Sequence, residues 1–193
     1  MTSLSAIAWP VPAAEFPFTD LSHSDSGARS DRRSIISLGP EYRTAFRDLL
    51  LGLDAPSRFS RFACQLGDDG ILRHAEHAAR EAAWIAGLFM ANELCGVVEL
   101  YECRDRRDIE AAFAVVSAWR RQGIGTALLL TAIGWAQMTR RSRLRMMFSR
   151  QNWPMRRLAS KANPQLDLDF DELVADVMIG DRQYGAGTSQ HPI

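Results

Sequence analysis

Between about Arg33 and Ile179 the apolar residues switch repeatedly between two periods. Arg33–Leu38 is a short β-branched run and reads as a first strand, broken by Gly39-Pro40. Glu41–Leu53 then carries Tyr42, Ala45, Phe46, Leu49, Leu50 and Leu53 at helical spacing, and Pro40 suits a first helical turn. Leu72–Ala83 reads as a second helix, rich in Ala with charges on one side. Trp84–Met90 and Leu94–Cys103 are apolar runs separated by Ala91-Asn92-Glu93, the pattern of a hairpin. Glu110–Ala118 is a further strand, Gly123–Thr139 a long helix, Leu144–Ser149 a strand and Pro154–Ala162 a helix. Gln165–Ile179 alternates and splits near Asp171-Glu172 into a last hairpin. Strands and helices alternating around a central meander predict an α/β or α+β sheet covered on both faces.

The flanks are different. Residues 1–32 are rich in Ser, Pro, Ala and Asp with no sustained period, and read as a tail or surface arm. Trp9, Phe16 and Phe18 could anchor that arm on the domain or on a second subunit, as in a homodimer. Residues 181–193 read as a C-terminal tail, which leaves one domain over 33–180.

Composition narrows the partners. The 193 residues carry 23 basic and 23 acidic side chains. Balanced charge removes the bulk electrostatic argument for a nucleic acid or a membrane surface. No apolar run approaches the ~20 residues of a membrane span. The apolar start lacks a basic segment and is interrupted by Pro10 and Pro12, so a cytoplasmic location is expected. Cys64, Cys95 and Cys103 form no disulfide framework. Cys95 and Cys103 read as core thiols. His74 and His77 have no further ligand in pattern, so no metal site is expected and both read as surface or rim residues. The charged stretches Arg104–Asp108 and Arg140–Arg145 read as solvated loops.

The chemistry concentrates in Glu110–Thr126. An apolar strand runs into the turn Arg120-Arg121-Gln122-Gly123-Ile124-Gly125, which opens a helix. Two glycines allow a ligand close to the backbone. The first amides of a helix lack internal partners, and with the helix dipole they form an anion site. Arg120 and Arg121 add positive charge. Taken alone, the stretch is equally a glycine-containing helix start with solvated arginines. A dinucleotide fingerprint would need a third glycine where Leu128 stands, and the Gly-Lys-Ser/Thr of a P-loop is absent.

Arg-x-x-Gly-x-Gly at Arg120, Gly123 and Gly125, between an apolar strand and a long helix, resembles the acetyl-CoA signature of the GNAT superfamily of N-acetyltransferases. Asn152–Lys161 resembles that family's Asn-x-x-Met/Ala-x-x-Leu-x-x-Lys helix. Ser57–Phe62 and Glu110-x-Ala-Phe-Ala-Val resemble stretches of the bacterial protein-lysine acetyltransferase branch.

The resemblance implies a mixed, mostly antiparallel sheet whose fourth and fifth strands splay apart around the pantetheine arm of acetyl-CoA. Backbone around Phe113 and Val115 would hold pantetheine, and an amide at Val115 or Val116 would face the developing oxyanion. Arg120 and the amides of Arg121, Gln122, Gly123, Ile124, Gly125 and Thr126 would hold the pyrophosphate. Asn152 would bond the cofactor arm; as a residue type it also suits a helix N-cap. The acceptor would be a primary amine, on a small molecule or a protein lysine. Such an amine must lose a proton, and a base at Glu110 matches the branch, with Glu99 in reserve. Three features depart from the family. Ala159 replaces the Tyr that many members use as general acid, Asn163-Pro164 replaces Gly-Phe, and Ala78 and Ala79 replace acidic and aromatic residues near the acceptor. A non-catalytic acyl-CoA-binding sensor on the same fold is the alternative.

Overall fold

The computed structural model describes residues 33–180. The readings of an N-terminal arm, its aromatic anchors and a C-terminal tail lie outside them. In chain order the elements are β1 (Arg33–Ser37), α1 (Arg43–Leu51), α2 (Ala55–Phe62), α3 (Asp68–Glu81), β2 (Trp84–Met90), β3 (Glu93–Glu102) and β4 (Asp108–Val115). Then follow α4 (Ile124–Met138), β5 (Arg143–Ser149), α5 (Trp153–Ala159), β6 (Gln165–Asp169) and β7 (Glu172–Met178). Seven strands form one sheet in the order β1-β2-β3-β4-β5-β7-β6. Every neighbouring pair is antiparallel except β4 and β5.

Two apolar cores fill the two faces. One gathers Val98, Leu100, Ile109, Ala111 and Phe113 with Leu128, Leu129 and Trp135 of α4. The other gathers Val97 and Ala114 with Phe46 and Leu50 of α1 and Ile71 and Ala78 of α3. The strands alternate between these cores because successive side chains point to opposite faces. Ala78 is thus a core residue.

Apolar periodicity misses one helix. α2 is only eight residues long, so that Ala55, Phe59 and Phe62, although at helical spacing, make too short a run to stand out. Its signals are local. Asp54 accepts from the Ser57 amide at 2.8 Å as N-cap, and Pro56 lies in the first turn. α3 also starts earlier than expected, at Asp68, with two acidic residues favouring its N-terminus.

Residues 104–107 form an exposed loop as expected, but Asp108 and the stretch 141–145 are not solvated. The Arg141 guanidinium donates to Glu102 at 2.8 Å and to the Arg106 carbonyl. Arg143 joins Asp108 and Asp176, and Arg145 grips Asp176 through two bonds at 2.8 and 2.9 Å. These pairs stitch β4, β5 and β7 together at one end.

Candidate active site

At the stitched end β4 and β5 are paired, and beyond it they part. Their register covers only Asp108↔Arg143, Ile109↔Leu144 and Glu110↔Arg145. The direction of the freed groups follows from the ladders on either side. The Val116 amide donates to the Cys95 carbonyl at 3.0 Å. Alternation along an antiparallel pair then turns the backbone groups of Ala111, Phe113 and Val115 away from β3, toward β5. On β5 the Ile179 amide donates to the Ser142 carbonyl at 2.9 Å, so by the same rule Met147 and Ser149 turn their backbone groups toward β4. Two strand edges thus face each other across a cleft with no ladder between them. This corrects one expectation: the Val116 amide is committed to Cys95, which leaves Val115 as the amide at the cleft. The Val115 carbonyl accepts from Arg120 Nε at 3.4 Å.

The start of α4 stands at the mouth of this cleft. Gly123 is its N-cap at φ 82°, a left-handed conformation that favours glycine, and no side chain caps the helix. No amide from Arg121 to Thr126 donates to a partner among the described residues. Ile124 is buried and anchors the turn on the core. Arg33 donates to the Gln122 carbonyl at 3.1 Å, and Gln122 Nε2 reaches the Ala118 carbonyl at 3.5 Å. Thr126 Oγ1 accepts from Lys161 Nζ at 2.7 Å. Arg120 and Arg121 are both exposed, but among the described residues only the Arg120 side chain has hydrogen-bond partners. Its Nη2 donates to Ser57 Oγ at 2.5 Å, and Ser57 in turn donates to Asp54. Arg120 therefore braces the turn against α2. Asn152 is buried at the start of α5 and accepts from the Met155 amide at 3.1 Å, the N-cap geometry.

The acidic residues lie on the sheet face covered by α2 and α3. Glu99 is fully buried and takes Arg61 at 2.7 Å, His74 Nε2 at 2.8 Å and the Tyr101 hydroxyl at 2.7 Å. Burial alone would raise its carboxyl, but the Arg61 charge and the bonds from His74 and Tyr101 outweigh it and hold the group down at about 2. Burial and the neighbouring Glu99 push the Tyr101 phenol up, so it stays a donor. Glu110 is half-buried and directly opposite Tyr101 in the ladder. Its carboxylate makes no hydrogen bond or ion pair among the described residues. It lies close enough that its charge, after burial itself, raises the Cys103 thiol. Cys103 is half-buried at the strand end and not a core thiol, whereas Cys95 is fully buried. His74 is no rim residue but a partner of Glu99; its one signal in the sequence is a polar residue on the buried side of an amphipathic helix. Arg61 lies on α2, and nothing local in the sequence links it to Glu99.

Ala159 is buried in the core behind α5. No group of three or more metal-ligating side chains occurs among the described residues, and no helix among them is long and apolar enough to cross a membrane.

Known structures share this fold. An N-acetyltransferase from Staphylococcus aureus Mu50 superposes with a TM-score of 0.62 at 17% identity, covering 77% of this chain and 99% of that one. The PaiA N-acetyltransferase from Thermoplasma acidophilum, in complex with coenzyme A, gives 0.59 at 15% identity over 76% and 99% of the two chains. YncA from Salmonella typhimurium, with its cofactor acetyl-CoA, gives 0.60 at 13% identity over 82% and 99%. At these identities the likeness establishes the fold. No curated protein sequence matches the chain significantly. The model of the acetyltransferase (GNAT) family matches residues 49–161, which is more than half of the sequence and spans both the open strand pair and the helix start beside it. The chain belongs to the acetyltransferase (GNAT) family.

Proposed function

We propose that this protein moves an acetyl group from acetyl-CoA to a primary amine by direct attack. The observation that supports this most is the parting of β4 and β5 after three paired residues, beside a helix start with unused amides. The fit is chemical. An extended arm carrying amides suits two facing strand edges, and a pyrophosphate suits unpaired amides at a helix N-terminus. Backbone groups of Phe113 and Val115 and the Asn152 side chain would hold the arm. Arg121–Thr126 would hold the pyrophosphate, with Arg120 keeping the turn in place through Ser57.

Acetyl-CoA supplies an activated thioester. The Val115 amide, turned toward β5, would donate to the oxygen on which charge develops. Glu110 takes the proton from the attacking amine, directly or through water. An amine with pKa ~10.4 is about 0.1% neutral near pH 7.4, so this base is worth ~10²–10⁴-fold. Glu99 is unsuited to the task, because three donors already occupy its carboxylate. With Ala159 in place of a tyrosine, the leaving thiolate takes its proton from solvent. The likeness of Ser57–Phe62 and Glu110–Val115 to the protein-lysine branch supports a lysine-like amine among the acceptors.

Ala159 also favours a second reading, a non-catalytic acyl-CoA sensor. Thermal melting with acetyl-CoA and thiol release with an amine panel separate the two. At 100 times its Kd the ligand stabilises the fold by ~2.7 kcal/mol in either case. Acceptor-dependent thiol release supports the enzyme, and binding without any release supports the sensor.

A further inference from the structure

We propose that the outward face of α4 is a docking surface for this chain's own residues 6–18. Helix α4, Ile124–Met138, contains no charged side chain. Its inward stripe, with Leu128, Ala132 and Trp135, is buried on the sheet. Its outward stripe is apolar as well: Leu130 is 63% exposed and Met138 57%. Leu130, Gly134 and Met138 follow one another at four-residue steps, so they stand in one row. A Cβ at Gly134 would meet nothing within 4 Å, which leaves open space between the two large side chains. Thr131 adds no idle polar group beside them, since its hydroxyl donates to the Ala127 carbonyl at 2.9 Å. A helix that is apolar all round belongs in a buried setting. Among the described residues nothing covers this row.

The point where the chain enters the domain says what does. Arg33 opens β1 and donates to the Gln122 carbonyl at 3.1 Å, two residues before α4 starts. Residues 1–32 thus join the domain beside the first turn of α4. They contain an apolar block, Ala6–Phe18, with Trp9, Phe16, Phe18 and a single charge, Glu15. Pro10, Pro12 and Pro17 keep that block from burying its rings in a helix of its own. Residues 19–32, polar apart from Leu21 and Ala28, separate it from Arg33. Extended, that tether reaches up to about 45 Å, and α4 is ~22 Å long. The block can therefore return along the whole helix. The tether also holds it at millimolar effective concentration, above that of a second copy in dilute solution. Docking removes two apolar surfaces from water at once.

The test is thiol crosslinking within the full chain. In a Cys64→Ser/Cys103→Ser background, Ala14→Cys is paired with Leu130→Cys or Gln137→Cys on α4. The control pairs it with Leu72→Cys, an exposed position on α3, across the sheet from α4. We expect a short bismaleimide to close both α4 pairs at least about fivefold faster than the α3 pair, at a rate independent of protein concentration. Leu130→Glu added to the Gln137 pair should lower its rate to that of the α3 pair, whereas Leu72→Glu added to it should not. Equal rates at α4 and α3 overturn the inference, as does a rate that Leu130→Glu leaves unchanged. A rate that rises with protein concentration, with crosslinks forming between separate Ala14→Cys and Gln137→Cys chains, assigns the face to a second copy and also overturns it. Melting curves establish that each variant folds. If Leu130→Glu does not, Trp9→Ala/Phe16→Ala/Phe18→Ala supplies the same comparison with every change outside the described residues.

Discussion

Glu99 and Glu110 stand on the same face of adjacent antiparallel strands, yet one is saturated and the other is unengaged. Glu99 sits opposite Ala112 and Glu110 opposite Tyr101, so the two carboxylates belong to one patch. Three donors close on Glu99. None of the described residues closes on Glu110, where β4 is about to part from β5. A carboxylate that must accept a proton needs room, and one that must hold a fold needs partners. The sheet gives these two environments to different residues.

Glu110→Gln keeps the shape of the side chain and removes its basicity. Turnover should fall by about tenfold or more. The melting shift with acetyl-CoA should persist, because no cofactor contact is assigned to this side chain. Steady-state thiol release alongside thermal melting checks both, and full activity in the variant would remove Glu110 from the mechanism.

Glu99→Gln should act on stability. Arg61 would remain a buried cation without its counter-ion, at a cost of about 3–5 kcal/mol. The wild type should also lose stability in acid. The Glu99 carboxyl is lowered from an ordinary 4.5 to about 2 in the fold. Its contribution, on the order of 3 kcal/mol, is therefore complete above the unfolded value and fades as pH falls from the one toward the other. Urea midpoints measured across that window should decline in the wild type and decline less steeply in Glu99→Gln, where Asp54 and Asp176, also held low by their partners, keep a residual slope. Parallel slopes would show that Glu99 is not the group responsible.

The two motif glycines should separate folding from binding. Gly123 has φ 82° with open space where a Cβ would stand, so Gly123→Ala meets backbone strain alone, roughly 1–2 kcal/mol. Gly125 lies in the first turn of α4, where a Cβ would meet only Leu158 side-chain carbons at 3.6 and 3.7 Å. Gly125→Ala should leave stability unchanged or raise it by about 0.5–1 kcal/mol. It should nevertheless weaken acetyl-CoA binding, on the order of tenfold, by placing a methyl group where the ligand approaches. Calorimetric titration and melting of both variants provide the check; unaltered affinity in Gly125→Ala would count against a ligand at this helix start.

Asp54 carries the cap of α2 and, through Ser57, the brace on Arg120. Asp54→Ala should cost about 1 kcal/mol, and Asp54→Asn much less, as read from chemical denaturation. If the brace matters, Asp54→Ala should also weaken acetyl-CoA binding although it touches no ligand. An unchanged Kd would confine Asp54 to a capping role.

Most of the sheet was legible because its strands announce themselves. The Ala91-Asn92 turn has both residues at positive φ, 46° and 69°, between two apolar runs, and β6 and β7 divide at Asp171-Glu172 as their alternation requires. Gly123 and Gly125 mark the helix start by residue type alone. What could not be read were the partners of charged residues. Arg61 and Glu99 are separated by 38 positions, and Arg145 and Asp176 by 31. No local pattern links such pairs, so Arg140–Arg145 looked like a solvated loop and His74 like a rim residue.

Periodicity, turn residues and the Arg-x-x-Gly-x-Gly spacing mark every strand and all the helices but α2, and where α4 begins, since each is a property of a few neighbouring residues. Tertiary structure alone decided that β4 and β5 pair for three residues and then diverge, that Val115 and not Val116 turns its amide into the cleft, and that Glu99 is sealed while Glu110 is left open. Those outcomes depend on which distant strand supplies hydrogen bonds and which distant arginine supplies charge, and a linear sequence records neither distance.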